Sequence, residues 1–449
     1  MMCFIIVQIM NMIKRNNFKL FDVGESLYVF LTGSQQVMKV TNSQMSRYFN
    51  AAMKGMDSVP DMDENIAAEL TKELIELRDS VVIKDTPSSE FEQVMLTLNT
   101  THGCNMACRY CFASTDNDRR KVMPAKVARK SVENLLMQYP EAKRYMIYFF
   151  GGEPLLHKLF IKDTVAMVKE VFKDKQDKSF GFLINTNGLL INNDDLLEFF
   201  KKNNFNVTVS IDGPEEINDS NRVLLNGSGS FKMIMRGIEA LKKAKVNFNL
   251  RATISPMVKN LLEVFRFFES LEAPYAYSFT IITDKKNKKE TKFTEEELRA
   301  LGKQYAEVTD FLADKVINGE KVYCTDFIER LSILEHRWLR THGCEAGRSA
   351  LIVDENGDYY PCQNMLPMNV WIGNVEIGVD KELAEGYRSQ FIDDLWECRK
   401  CWARYLCGGG CQADRRMYKW DFPDDTPQHC VISLFEWEQT LKAFVKIKR

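Results

Sequence analysis

The stretch "CNMACRYCFA", Cys104 to Ala113, sets three cysteines on one short loop, with Tyr110 just before the last of them. Zinc is the competing reading for any such cluster. A structural zinc site is closed by four ligands, yet no cysteine or histidine follows Cys111 at usable spacing. His102 precedes the triad, but with awkward geometry for a fourth ligand. Three thiolates suit instead a 4Fe–4S centre that leaves one iron open to a substrate or cofactor.

The rest of the chain supports a metal role for its sulfur. Twelve cysteines occur among 449 residues, and reducing compartments keep such thiols free of disulfides. Ten of the twelve fall into two groups, Cys104 to Cys111 and Cys344 to Cys430. Apolar content of 45% and charged content of 27% describe a globular protein of two or three domains. A formal net charge of −2 gives no reason to expect nucleic acid or an anionic membrane as partner. The run "KKNKK", Lys285 to Lys289, lies between Asp284 and Glu290 and reads as a solvated loop. The apolar start "MMCFIIVQIMNMI" is shorter than the ~20 residues of a spanning helix, and it lacks the basic flank and cleavage site of a secretory signal. The expected location is the cytoplasm.

Three short strands, "FKLFDVG", "SLYVFLT" and "QVMKV", are expected near the N-terminus, with Gly24 and Gly33 at the turns. Two amphipathic helices follow, one carrying Met45, Phe49, Ala52 and Met53, the other Ile66, Leu70, Leu74 and Leu77. "KDTPSSE", Lys84 to Glu90, is a linker. From Val94 to about Thr283 strands alternate with helices, which predicts parallel strands joined by right-handed crossovers. The strand candidates are "VMLTLNTT", "YMIYFF", "SFGFLINT", "NVTVSID", "NLRATIS" and "YSFTIIT". In a barrel of this kind the chemistry gathers at the C-terminal strand ends. There stand "THGC", "GGEP", "NTNG" and "SIDGP".

The CxxxCxxC loop after the first barrel strand resembles the defining motif of the radical S-adenosylmethionine (SAM) family. "GGEP" (Gly151, Gly152, Glu153, Pro154) looks like the family's second-strand motif, which contacts the SAM amino group. "SIDG" resembles the fourth-strand motif, which implies that Ser210 and Asp212 face the SAM ribose and carboxylate. The resemblance further implies SAM contacts for Tyr110, beside the adenine, for Asn187 in "NTNG", and for Arg251, which would pair with the SAM carboxylate. Cys104, Cys108 and Cys111 would bind a cluster that cleaves SAM to a 5′-deoxyadenosyl radical.

The second cysteine group, Cys344, Cys362, Cys398, Cys401, Cys407, Cys411 and Cys430, looks like a complete SPASM domain, which holds two auxiliary 4Fe–4S clusters in related enzymes. That resemblance assigns Cys344, Cys362 and Cys411 to the first auxiliary cluster. It assigns Cys398, Cys401, Cys407 and Cys430 to the second. The first set is one ligand short. Cys324 is expected to complete it; the alternatives are a buried small hydrophobe at Cys324 and an open iron that takes a substrate thiolate. Cys3 is a bystander.

The expected architecture is thus α/β, a partial (β/α)6 TIM-like barrel. Residues 1–84 would form a winged-helix-like α+β domain, 91–293 the barrel, 294–343 a helical bridge, 344–431 the Cys-rich iron–sulfur domain and 432–449 a closing helix. The first unit resembles leader-recognition domains, which hold a peptide by adding it as a strand. The implied function is a monomeric maturase that crosslinks a ribosomal precursor peptide and draws electrons from a flavodoxin or ferredoxin. A sulfatase-maturing enzyme is the alternative, disfavoured because Gln363 follows Cys362 where those enzymes carry an Asp base. A non-catalytic electron carrier is the other, and it would have no use for a SAM pocket.

Overall fold

In the computed structural model the described residues are 18–40, 46, 91–111, 121–280, 292–388, 390–421 and 426–449. The two helices expected after Lys39 (Ser46 apart), the linker 84–90, Lys285 to Lys289 and Cys3 lie outside them. Strands β1 (Phe18–Val23), β2 (Ser26–Leu31) and β3 (Gln36–Lys39) form an antiparallel sheet in the order β1-β2-β3. Gly24 takes the left-handed conformation at the first turn, with φ +59°. One face of this sheet is apolar and is spent on the far end of the chain. Phe21, Tyr28 and Phe30 share a buried cluster with Ala403, Leu406, Trp437, Leu441 and Val445.

The large sheet holds six parallel strands: β4 (Gln93–Thr101), β5 (Arg144–Gly151), β6 (Ser179–Thr186), β7 (Asn206–Ser210), β8 (Phe248–Ile254) and β9 (Tyr275–Phe279). Each pairs with the next in sequence, the order of a partial barrel. The last strand starts two residues earlier than expected, at Tyr275, and its expected continuation beyond Thr280 lies outside the described residues. Helices fill the crossovers by the expected periodicity. In Phe231–Ala244 the buried side is Ile234, Gly237, Ile238 and Leu241, spaced for one helix face. The helical region after the barrel resolves into Glu295–Ile317, opened by a Thr294/Glu297 capping box, and Thr325–His336. The closing helix, Gln428–Lys448, starts four residues before the expected Ile432 and carries Cys430 in its first turn.

The C-terminal region is not a separate sheet. Strand β10 (Ala350–Val353) pairs in parallel with β4, and β11 (Asp358–Tyr360), β12 (Gly373–Asn374) and β13 (Gly378–Val379) continue outward from it. Because β10 runs parallel to β4, the turn after it arrives at the same end as the cysteine loop. The N-terminal sheet is likewise bound into the whole through Phe30, which is fully buried. Phe30→Ala should therefore cost about 3–5 kcal/mol, read as a lowered melting temperature of the anaerobically purified chain.

Candidate functional site

Cys104, Cys108 and Cys111 sit on the loop that leaves β4, all half-buried. The loop is held down by the end of β5. Gly152 N–H donates to the Thr101 carbonyl at 2.7 Å and Glu153 N–H to the Gly103 carbonyl at 2.8 Å. A Cβ on Gly152 would stand 2.2 Å from the Gly103 oxygen, and Gly151 has φ +135°. Glycine is required at both places, so in this motif the glycines seat the cysteine loop.

Glu153 turns inward instead of facing the mouth. Its fully buried carboxylate accepts from Leu155 N (3.0 Å), Thr186 Oγ1 (2.8 Å) and Asn187 N (2.7 Å). Burial pushes this carboxyl up, and those donors oppose the shift. Pro154 is buried beside it. Asn187, so positioned, donates through Nδ2 to Asn105 Oδ1 at 2.7 Å and lies 3.9 Å from Cys104 Sγ.

Asp212 also departs from the expected SAM-facing role. It is fully buried and accepts from Tyr110 Oη at 2.7 Å and from Thr253 N at 3.1 Å. Arg222 completes the group, donating through Nη1 to Tyr110 Oη at 2.7 Å. The Tyr110 hydroxyl is thus committed to holding the loop. Ser210 and Arg251 do line the interior, opposite each other in the register of β7 and β8. Ser210 Oγ lies 3.4 Å from Asn185 Oδ1. Half-buried Tyr148 and Phe150 face the same space, their rings 5.7 Å apart. Burial pushes the Tyr148 hydroxyl up to about 12, opposed by Arg251. Alternation along "YMIYFF" was the signal that could have found Tyr148; nothing local marks Arg222.

His102, set aside above as a fourth ligand, has partners of its own. Its Nε2 is 3.0 Å from Glu355 Oε2 and 3.1 Å from Asn99 Nδ2. Burial works against the Glu355 charge, but the His102 hydrogen bond, a backbone N–H and the nearby charges of His102 and Lys121 together outweigh it and hold the carboxyl below its usual range. Glu355 belongs to the turn after β10, so this contact ties the two cysteine-bearing regions together.

The C-terminal cysteines fall into two electrostatic neighbourhoods. Cys344 acts on Cys362, and both act on Cys411. Cys398, Cys401, Cys407 and Cys430 form the other group. Cys407 and Cys411 are four apart in sequence yet belong to different groups. Between them Gly408, Gly409 and Gly410 all take positive φ, 68°, 94° and 65°, which turns the chain between the two neighbourhoods. Burial pushes the Cys362 thiol up to about 12 and Cys398 to about 11. Such thiols keep their protons until a metal displaces them.

Cys324 is a correction. It is 0% exposed, in the barrel core, at the start of helix Thr325–His336. There it bridges Tyr275, the first residue of β9, at the end of the barrel opposite the mouth. Burial pushes its thiol up to about 12, and the charged groups acting on it are Asp326 and Arg330, none of the C-terminal cysteines. The polar flanks of "KVYCTDF" suggested an open loop, but the strand pairing that buries it is long-range.

The family model of the Radical SAM superfamily matches residues 98–260. With the cysteine loop at the mouth of a partial barrel, the chain carries a radical SAM domain and is an enzyme of oxidoreductase-type radical chemistry. The electron-carrier reading falls. Among relatives, a cysteine-type anaerobic sulfatase-maturating enzyme of Clostridium perfringens is 27% identical over 367 residues, covering 78% of this chain and 94% of that protein. A serine-type anaerobic sulfatase-maturating enzyme of Bacteroides thetaiotaomicron is 25% identical, covering 70% of this chain and 80% of that one. Among solved structures, native anSMEcpe with bound AdoMet matches with a TM-score of 0.66 at 24% identity, over 79% of this chain and 98% of that chain. Streptococcus suis SuiB bound to precursor peptide SuiA matches with a TM-score of 0.54 at 15% identity, over 92% of this chain and 97% of that chain. No helix among the described residues is long and apolar enough to cross a membrane.

The donor chemistry fits the group the family implies. Three soft sulfur ligands share one loop, a buried guanidinium adjoins them, and the barrel interior beside them is polar at Asn185, Ser210 and Arg251. Replacing Cys104, Cys108 and Cys111 together with Ala should abolish 5′-deoxyadenosine formation from SAM under reducing conditions, measured by chromatography. Cys324→Ala, in contrast, should keep the iron content and electron paramagnetic resonance (EPR) spectrum of the parent, because its thiol lies in the core.

Proposed function

We propose that this enzyme is a maturase that installs an intramolecular carbon–carbon or thioether crosslink in a ribosomally synthesised precursor peptide. The observation that carries the reading is the N-terminal sheet, Phe18 to Lys39. The fold likeness to SuiB, solved with a precursor peptide, extends over 92% of the chain, against 79% for anSMEcpe. The sheet packs on the closing helix, so a leader peptide held by strand addition would be anchored to the body of the enzyme.

Formylglycine formation is the second reading, favoured by the identity and coverage of the sulfatase-maturating relatives. Against it stands Gln363, directly after Cys362. A glutamine amide accepts no proton at neutral pH, so it cannot serve as the base that those enzymes place there.

Cys104, Cys108 and Cys111 would hold the SAM-binding 4Fe–4S cluster. Cys344, Cys362 and Cys411 would hold a first auxiliary cluster, and Cys398, Cys401, Cys407 and Cys430 a second. A cluster held there would supply a low-potential electron for radical chemistry on SAM. The residues of the chain do the rest. Gly152 and Glu153 fix the loop, Ser210 and Arg251 present polar groups to SAM, and Tyr148 and Phe150 wall the interior from water. With Cys324 in the core, the first auxiliary set has three cysteines. That leaves a position for a ligand from outside the chain, such as a substrate cysteine, and favours the thioether. A low-potential flavodoxin or ferredoxin would supply the electrons, and a monomer in the cytoplasm suits this chemistry.

Anaerobic reconstitution should give about twelve iron atoms per chain by ligand counting; about four, with stoichiometric zinc, would contradict the auxiliary assignment. The function itself is tested by co-expression with the precursor peptide encoded nearby, followed by mass spectrometry. Each crosslink removes two hydrogens and leaves a product inert to aldehyde reagents. Oxidation of a serine to formylglycine removes the same mass, so a product that reacts with a hydrazide probe would overturn the crosslink reading in favour of the second.

A further inference from the structure

An apolar groove of about 560 Å³ lies against the segments that lead out of β4, β5 and β6 toward the helices that follow them. Val122, Leu155, Leu156, Leu159, Phe160 and Leu190 line it, with His157 and Lys158 among them. Leu159 is 76% exposed, Leu156 43% and Val122 37%. Leu159 opens the helix Lys158–Phe172, whose buried side is Ile161, Thr164, Val165, Val168 and Phe172. It therefore adds nothing to the core. Exposed apolar residues gathered in this way and rimmed by polar ones mark a surface that another molecule covers.

Both walls of the groove are bonded to the root of the cysteine loop. Val122 bridges Thr101 in the antiparallel sense, and Thr101 Oγ1 donates to the Lys121 carbonyl at 2.8 Å. On the other wall Leu155 N–H donates to the Glu153 carboxylate at 3.0 Å, and Glu153 N–H donates to the Gly103 carbonyl at 2.8 Å. Gly103 is bonded to Cys104. From Leu155 a path of covalent and hydrogen bonds thus runs to the first cysteine without a gap.

The charges around the groove are mainly of one sign. Residues 121–122, 155–163 and 187–191 carry Lys121, Lys158 and Lys162 against one carboxylate, Asp163. None of these lysines forms an ion pair among the described residues, and Lys162 lies over the Phe199 ring at 5.7 Å. An apolar centre with a basic rim complements an acidic protein surface. A precursor peptide has to meet SAM inside the barrel, at Ser210 and Arg251, whereas the groove is built from the outer crossovers.

We propose that this groove is the docking surface of a small acidic electron-carrier protein, which delivers electrons singly to the cluster held by Cys104, Cys108 and Cys111. The proposal rests on the reading that those three cysteines hold a 4Fe–4S cluster. Each docking oxidises the carrier by one electron and reduces the cluster by one, with no bond made or broken. The lysines steer the encounter, and the leucines exclude water at its centre.

The test uses the anaerobically purified full-length chain, Leu159→Glu and Lys158→Glu, with an acidic flavodoxin as probe. Binding is measured by calorimetry at low salt, and reduction of the cluster whose EPR signal changes on adding SAM is followed after rapid mixing with flavodoxin hydroquinone. Both variants should weaken binding and slow that reduction by about tenfold or more, and added salt should slow the parent more than Lys158→Glu. Reduction by dithionite, which needs no docking, should keep its rate. No flavodoxin binding by the parent, or parent-like binding and rates in both variants, overturns the proposal. So does a raised KM for the precursor peptide in Leu159→Glu with the flavodoxin rate unchanged, which would give the groove to the peptide. A parent that sediments as a dimer while Leu159→Glu sediments as a monomer, with flavodoxin binding equal in the two, would give it to a second copy and overturn the proposal too. Absence of any SAM-responsive cluster after dithionite reduction of the parent would overturn the cluster reading, and the proposal with it.

Discussion

One buried carboxylate ties the ends of three barrel strands together. Glu153 leaves β5, sends its own N–H to Gly103 after β4, and takes three donors from its own turn and from the end of β6. Taking a carboxylate wholly out of water is expensive unless it is well bonded, so the three strand ends cannot drift apart without leaving that charge exposed to a dry interior. The cysteine loop inherits this rigidity. A metal cluster needs its thiolates held before it arrives, and here the holding is done by residues that never touch it. The same economy appears at Asp212, which acts on the site through Tyr110 and Thr253.

Much of this was legible in the chain itself. Six parallel strands follow from short β-branched and aromatic runs separated by helical periodicity, and the polar loops at their ends announce the mouth. Helix Phe231–Ala244 was readable to the residue because its apolar face repeats without a flaw. What escaped reading depends on partners far away in sequence. Nothing in "ALIV" says that it will pair with β4. Nothing near Cys324 says that Tyr275 will cover it. The inward turn of Glu153 and Asp212 was equally hidden, because a motif names the residue and not the direction of its side chain. Arg222 escaped because no motif marks it and its partner Tyr110 lies 112 residues away.

The two cysteine-bearing regions share a sheet. The β4–β10 pairing and the His102–Glu355 contact place the C-terminal strands against the first barrel strand and its loop. The N-terminal sheet closes the circuit by packing on the last helix, with Lys19 and Glu438 in an ion pair at its edge. A disturbance at either terminus is therefore felt by the elements that position the cysteines.

That shared sheet has a consequence during synthesis. Strand β4 ends at Thr101 and its outer neighbour β10 begins at Ala350. At ~5–20 residues per second on the ribosome, one edge of β4 waits on the order of 10–50 s for its partner. Its buried residues Val94, Leu96 and Leu98 belong to an unpaired edge throughout that time, the kind of edge that recruits other chains. The nascent protein thus passes through a sticky stage that only its own C-terminal half can end, and its yield depends on how crowded the ribosomes are while it does so.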